Sequence, residues 1–228
     1  MTTDCIIVVA AGSGSRYGAD LPKQFCPLGG RPLLMTTLER LAACAPQARL
    51  IVVLSKDMFG VWADMCREQS FKLHHEIFAG GSSRAESVRN ALRHIDPATT
   101  GWIAVHDAAR PVVTADMFAR LLDALPGADG AIPAVAVTDS LRVVDPSDGS
   151  SRSVDRSTLR AVQTPQVFHG RLLIAANDRE LLPTFTDDAS VMEAAGYTRL
   201  RLVEGDTRNI KVTNPGDMAI AEMHLATL

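Results

Sequence analysis

The hydrophobic positions of the chain follow two rhythms. Cys5–Ala10, Arg49–Leu54, Gly101–Val105 and Gly130–Val137 are apolar at nearly every position. They are short, rich in β-branched residues and without polar alternation, as strands covered on both faces are. Between them apolar residues recur at helical spacing. Arg31-Pro32-Leu33 opens a helix striped by Leu33, Leu34, Leu38 and Leu41, its proline early, where the missing N–H costs nothing. Residues 57–69 place Phe59, Trp62, Met65 and Cys66 on one face. Ser83 and Glu86 form a capping box ahead of Val88, Ala91, Leu92 and Ile95, and Thr114 caps a helix to about Leu125. Residues 168–182 read as another helix. Thr186-Asp187-Asp188 starts the next, its acids at the positive end of the dipole. Asn214-Pro215 starts the last, with cap and first-turn proline in place. Residues 74–78 and 199–203 read as further strands, and 209–213 as an extended segment.

Strands alternating with helices imply an α/β fold: a doubly wound, mostly parallel, Rossmann-like sheet. The rhythm breaks over residues 138–163. Ser140–Val144 and Arg152–Arg156 flank Asp145-Pro146-Ser147-Asp148-Gly149-Ser150, a strong turn signal. This predicts a protruding β-hairpin arm with little apolar area of its own. A two-stranded hairpin is marginal alone in water, so the arm should lie on something. A second copy of the chain is the natural candidate, and packing on its own domain is the alternative. No repeat or linker divides residues 1–228, which are expected to form one domain.

Composition narrows the field. The 228 residues are 46% hydrophobic and 21% charged, enough to bury a sizeable core. A net charge of −3 lacks the basic surplus of a nucleic-acid protein. Cys5, Cys26, Cys44 and Cys66 are scattered, with no C-x-x-C pair, which suits a reducing cytoplasm better than a zinc or disulfide framework. The first apolar run is too short to span a bilayer and has no basic start, so neither signal peptide nor membrane helix is expected.

Ligands of such sheets bind at the carboxyl ends of the strands. Three chemically promising stretches fall there: Gly12–Lys23, Gly80–Ser87 and Asp107–Arg110. The first runs Gly12-Ser13-Gly14-Ser15-Arg16 and continues to Pro22-Lys23-Gln24. Small residues bring backbone N–H groups close to an anion, and Arg16 and Lys23 add positive charge, so the loop suits a polyphosphate. It is not a P-loop, because no Gly-Lys-Ser/Thr follows the strand. It is not a dinucleotide fingerprint, because Tyr17 stands where the third glycine belongs. It resembles the signature loop of the nucleotidyltransferases that activate sugar and alditol phosphates, A-A-G-x-G-x-R-x-G-x(3)-P-K-Q, matching every fixed position.

Further motifs follow in order: Gly80-Gly81-Ser82-Ser83-Arg84-Ala85-Glu86-Ser87-Val88, Val105-His106-Asp107-Ala108-Ala109-Arg110-Pro111, Asp139-Ser140, Val154-Asp155-Arg156, Gln163-Thr164-Pro165-Gln166, Thr186-Asp187-Asp188-Ala189-Ser190 and Asn209-Ile210-Lys211-Val212-Thr213. Together they resemble the 2-C-methyl-D-erythritol 4-phosphate cytidylyltransferases, homodimeric enzymes of non-mevalonate isoprenoid synthesis, over nearly the whole chain. The resemblance implies that a phosphate oxygen of methylerythritol phosphate attacks the α-phosphorus of CTP and pyrophosphate leaves. Arg16 and Lys23 would be catalytic, clamping the triphosphate, with Mg²⁺ sharing the task and Asp107 as its carboxylate. Ala10, Ala11, Gly12, Gly14 and Ser15 would bind CTP on one side and Gly81, Ser82 and Ser87 on the other. Asp107, Arg110, Ser140, Thr164 and Lys211 would meet the alditol phosphate, and Arg156 on the arm would reach the partner subunit's substrate.

Two positions depart from the family pattern. Ser140 replaces the usual threonine, and Ser82 stands where an acid is common. Blander readings remain for single groups. Arg110 and Lys211 suit surface ion pairs, Asp187 and Asp188 suit a helix cap more than a metal site, and His106 suits a structural strand end, since the reaction needs no base. His74-His75 has no partner pattern. The rival activities are a ribitol 5-phosphate cytidylyltransferase, a nicotinamide-dependent oxidoreductase and a non-catalytic nucleotide-binding regulator.

Overall fold

The apolar run that begins at Cys5 becomes the middle strand of the sheet. The computed structural model describes residues 2–12 and 21–228, and its elements run in chain order as follows. The first half holds β1 (Thr3–Val9), β2 (Pro27–Leu28), β3 (Arg31–Pro32), α1 (Leu33–Cys44), β4 (Arg49–Leu54), α2 (Phe59–Glu68), β5 (Glu76–Ala79), α3 (Arg84–Leu92) and β6 (Thr100–Asp107). Then come α4 (Ala115–Ala124), β7 (Gly130–Ala136), β8 (Leu141–Val144), β9 (Ser151–Val154), β10 (Arg160–Val162), β11 (Gln166–His169), α5 (Gly170–Asn177), α6 (Asp188–Ala194), β12 (Leu200–Glu204) and α7 (Gly216–Leu225).

The main sheet has the order β10-β7-β11-β6-β1-β4-β5, with β12 also paired to β7. β1 runs parallel to both β4 and β6, β4 is parallel to β5, and β12 is parallel to β7. Alternate residues of β1 enter different cores. Ile6 and Val8 pack with Leu34, Leu38, Trp62 and Phe118 of α1, α2 and α4, while Cys5 and Ile7 pack with Val88, Leu173 and Met192 of α3, α5 and α6. A strand that feeds two cores needs an apolar residue at every position. A third cluster, with Leu28, Leu33, Val212 and Met218, lies under α7.

The structure corrects three local expectations. Residues 168–182 do not begin as a helix: Phe168 lies in β11, which runs antiparallel between β6 and β7, and the helix is Gly170–Asn177. The Ser83 cap forms, its Oγ accepting the Glu86 N–H at 3.1 Å, but the Glu86 carboxylate turns to Ser82 instead of closing the box. Asn214 does not cap the last helix. Pro215 occupies that position, and the Asp217 carboxylate accepts the N–H groups of Thr213 and Asn214 at 2.7 and 2.8 Å.

β8 and β9 pair as a separate two-stranded sheet, on which Leu141, Val143 and Val144 are exposed. Asp145 and Asp148 shape its turn by accepting the N–H groups of Ser147 and Ser150. Among the described residues no helix is long and apolar enough to cross a membrane.

Candidate active site

A cleft of about 570 Å³ opens at the carboxyl ends of β1 and β6, with the loop after β5 as its other wall. Ala10, Ala11, Gly12, Lys23, Gly81, Ser82, Ser87, Asp107 and Lys211, all expected from sequence, line it. Gly14, Ser15 and Arg16 lie outside the described residues. The first wall is held from beneath by Gln24, whose amide donates to Ala10 O at 2.7 Å and Gly12 O at 3.1 Å. Lys23 Nζ donates to Val212 O at 2.8 Å, which fixes its stem against the segment carrying Lys211. The second wall touches the first at Gly80, where a Cβ would come 2.4 Å from the Ala11 methyl. Only glycine lets the two loops approach so closely.

At the other end, charges converge on Asp107. Its Oδ1 accepts from Arg84 Nε at 3.2 Å, and its Oδ2 lies 2.8 Å from Lys211 Nζ and 3.6 Å from Arg110 Nε. Burial alone would raise this carboxyl, but the cations of Arg84, Lys211 and Arg110 overcome it and hold it well below the usual carboxylate range. Arg84 also donates from Nη1 to Asp188 at 2.7 Å, so one guanidinium ties α3 to both β6 and α6. Arg110 Nη1 donates to Asn209 O at 2.8 Å, and Asn209 Nδ2 donates to Thr164 O at 2.9 Å.

His106 lies behind this cluster, fully buried. Its Nε2 faces the Arg110 carbonyl at 2.9 Å. A carbonyl only accepts, so Nε2 carries the proton and Nδ1 is bare. Nδ1 then accepts from the Thr164 hydroxyl at 3.2 Å, whose oxygen in turn accepts the Asp107 N–H at 3.0 Å. Burial pushes the His106 imidazole down to about 4.

Thr164, expected to meet substrate, is buried under the described lining of the cleft, where its hydroxyl bonds His106 and Asp107. Ser140 and Arg156 are not among the described residues that line the cleft. Both are exposed on the arm, and Arg156 donates to Thr138 O. Asp107 is the only acid among the described lining residues, and among the described residues no three potential ligands cluster. A lone carboxylate whose oxygens face cations suits a metal brought in by phosphate oxygens, not one caged by protein. Sequence reasoning gave Arg84, Gln24 and Asp188 no role in the site. All three stand in the quoted motifs, but their partners lie 12 to 104 residues away.

Residues 5–227 match the model of the 2-C-methyl-D-erythritol 4-phosphate cytidylyltransferase family. The enzyme of that name from Bacteroides thetaiotaomicron is 41% identical over 215 residues, 94% of this chain and 96% of the relative. That from Laribacter hongkongensis is 43% identical over 216 residues, 94% of this chain and 93% of the relative. Among solved structures, the 2-C-methyl-D-erythritol 4-phosphate cytidylyltransferase of Thermus thermophilus superposes with a TM-score of 0.76 at 31% identity, covering 100% of both chains.

Proposed function

The chain belongs to the 2-C-methyl-D-erythritol 4-phosphate cytidylyltransferase family, and on that premise we propose how its cleft transfers the cytidylyl group of CTP to 2-C-methyl-D-erythritol 4-phosphate. The observation that carries the mechanism is the lining itself: among the described residues, Lys23, Arg84 and Lys211 share the cleft with a single acid, Asp107, at a strand end. Nucleophile and leaving group are both phosphates, so the protein need supply no nucleophile or base, only position and counter-charge. Lys23, with Arg16 from the preceding loop, clamps the triphosphate and stabilises the crowded α-phosphoryl group. Lys211 and Arg110 take the acceptor phosphate. In doing so Lys211 would free Asp107 Oδ2 for an alditol hydroxyl. Asp107 would be the carboxylate for a Mg²⁺ held chiefly by the triphosphate, and that ion would neutralise part of the phosphate charge.

Gly81, Ser82 and Ser87 receive the base, with Ala10, Ala11 and Gly12 opposite and Gly14 and Ser15 along the phosphates. A second copy of the chain completes the site. Its arm covers the apolar strip of Leu141, Val143 and Val144 and brings Arg156 and Ser140 to the acceptor phosphate, so that residues 1–228 act as one domain with residues 138–163 as its dimer arm. Four unpaired cysteines suit the reducing cytoplasm.

Pyrophosphate release with CTP and Mg²⁺ tests this, with methylerythritol 4-phosphate and ribitol 5-phosphate in parallel. Release is expected with the first. Release with ribitol phosphate alone would overturn the acceptor assignment. Lys23→Ala and Arg16→Ala are each expected to lower kcat by at least ~10²-fold, the scale of removing one preorganised charge-stabilising donor. Near-wild-type kcat in either removes that residue from the mechanism.

A further inference from the structure

The wall formed by Gly80, Gly81 and Ser82 spends its hydrogen-bond donors on the protein. Gly80 N–H donates to Leu54 O at 2.7 Å. Gly81 N–H donates to Ser87 Oγ at 3.0 Å, and the Ser87 hydroxyl donates to Ser83 O at 2.8 Å. Ser82 donates twice to one oxygen: its N–H reaches Glu86 Oε2 at 2.7 Å and its hydroxyl the same atom at 2.6 Å. These Ser82 bonds hold the Glu86 carboxyl below its usual range. An ionised carboxylate has lone pairs and no proton, so it can only take the hydroxyl hydrogen from Ser82. With these donors engaged, what the stretch has left to offer a ligand is lone pairs, on hydroxyl oxygens and main-chain carbonyls.

We propose that Glu86 selects the nucleotide base, acting through Ser82. By holding both Ser82 donors it keeps this wall an acceptor surface, which a base with an exocyclic amino group can donate to and one with a carbonyl at the same place cannot. The inference rests on the proposal that Gly81, Ser82 and Ser87 receive the base, and it deepens that proposal by naming what separates CTP from UTP. Cytosine presents N–H bonds to this wall. Uracil presents an oxygen, whose lone pairs would meet those of Ser82 with no proton between them. A site built to take a substrate N–H rejects an analogue lacking it because the buried polar groups are left unpaired. Glu86 does not line the cleft itself, so it is a positioning residue.

Glu86→Ala would release the Ser82 hydroxyl and N–H, letting the wall donate to uracil. The Ser83 cap is kept, because it uses only the backbone N–H of residue 86. The experiment measures binding of CTP and UTP by calorimetry, and kcat/KM for both with methylerythritol phosphate, in the unmodified enzyme, Glu86→Ala and Ser82→Asp/Glu86→Ala. The unmodified enzyme is expected to favour CTP, and Glu86→Ala to lower the CTP-to-UTP ratio by at least ~10-fold, the scale set by one hydrogen-bonding group of a substrate. The double variant, whose new carboxylate at position 82 can accept but not donate, is expected to restore the ratio. A ratio in Glu86→Ala within twofold of the unmodified enzyme, alongside firm CTP binding, overturns this inference alone. Absence of CTP binding by the unmodified enzyme overturns it together with the reaction on which it rests.

Discussion

His106 shows how a single buried group sets both geometry and pH response. Its imidazole is neutral because it has no room for hydration, and burial lowers it to about 4. The unfolded chain takes up a proton at this residue near pH ~6.5, while the folded chain resists it until about 4. Across that interval the unfolded state binds more protons, so stability falls as pH is lowered from about 6.5 and the effect ends below about 4. His75 pushes the same way. Burial also lowers it, and its ring accepts from Trp62 Nε1 at 2.9 Å while its Nδ1 donates to Leu73 O. Asp107 works in a different window, because its lowered carboxyl contributes stability that is lost only as pH falls beneath the ordinary carboxylate range. Urea unfolding across the histidine interval should therefore show a free energy that rises with pH, with a shallower slope in His106→Gln. An unchanged slope in that variant would assign the dependence to His75 and remove His106 from it.

At the scale of elements, the sheet depends on a close crossing that no local pattern announces. β11 lies against β7 with Phe168 opposite Gly130, and a Cβ at Gly130 would come 2.3 Å from the Phe168 ring and 3.1 Å from Val167 O. Gly130→Ala should cost about 1–3 kcal/mol, the usual cost of overpacking, read as a lower urea midpoint with an unchanged slope. Adding Phe168→Leu, which shortens the side chain it strikes, should recover part of the loss. Strictly additive losses would show that the backbone contact, not the ring, is the obstacle. The same crossing marks where the sequence stops being readable. The strands of β1, β4, β6 and β7 and the helices of α1, α3 and α4 are legible because each carries its own period. β11 is only four residues long, and its Val167 and Phe168 enter opposite cores, so its apolar residues merge with those of α5 into one apparent helix. The site divides likewise. The loops that line the cleft are consecutive residues and can be read. The Arg84 bridge joins residues 104 positions apart, and the commitment of the Thr164 hydroxyl depends on a strand pairing that only folding creates.

At the scale of the whole molecule, one chain leaves its proposed chemistry divided. Lys23 and Lys211 line the cleft, while Arg156 and Ser140 sit exposed on an arm whose apolar residues Leu141, Val143 and Val144 are left exposed by the described residues. If a second copy supplies the arm, each active site is built from two chains, and the two halves can be inactivated separately. Arg156→Ala removes the arm's contribution and should raise KM for the alditol while sparing CTP binding. Lys23→Ala removes the cleft's contribution and should lower kcat. In a mixed dimer, the Arg156→Ala chain keeps an intact cleft and receives an intact arm from the Lys23→Ala chain, whereas the reverse pairing carries both lesions. Equal amounts, exchanged to equilibrium, give half mixed dimers with one sound site each, so about a quarter of all sites should work in a two-fold dimer. Assayed at alditol concentrations well below the raised KM, the mixture should therefore exceed the sum of its parts. A mixture no more active than the separate variants would mean that each arm serves its own cleft, and the arm would then have to fold back on its own chain to reach Lys211.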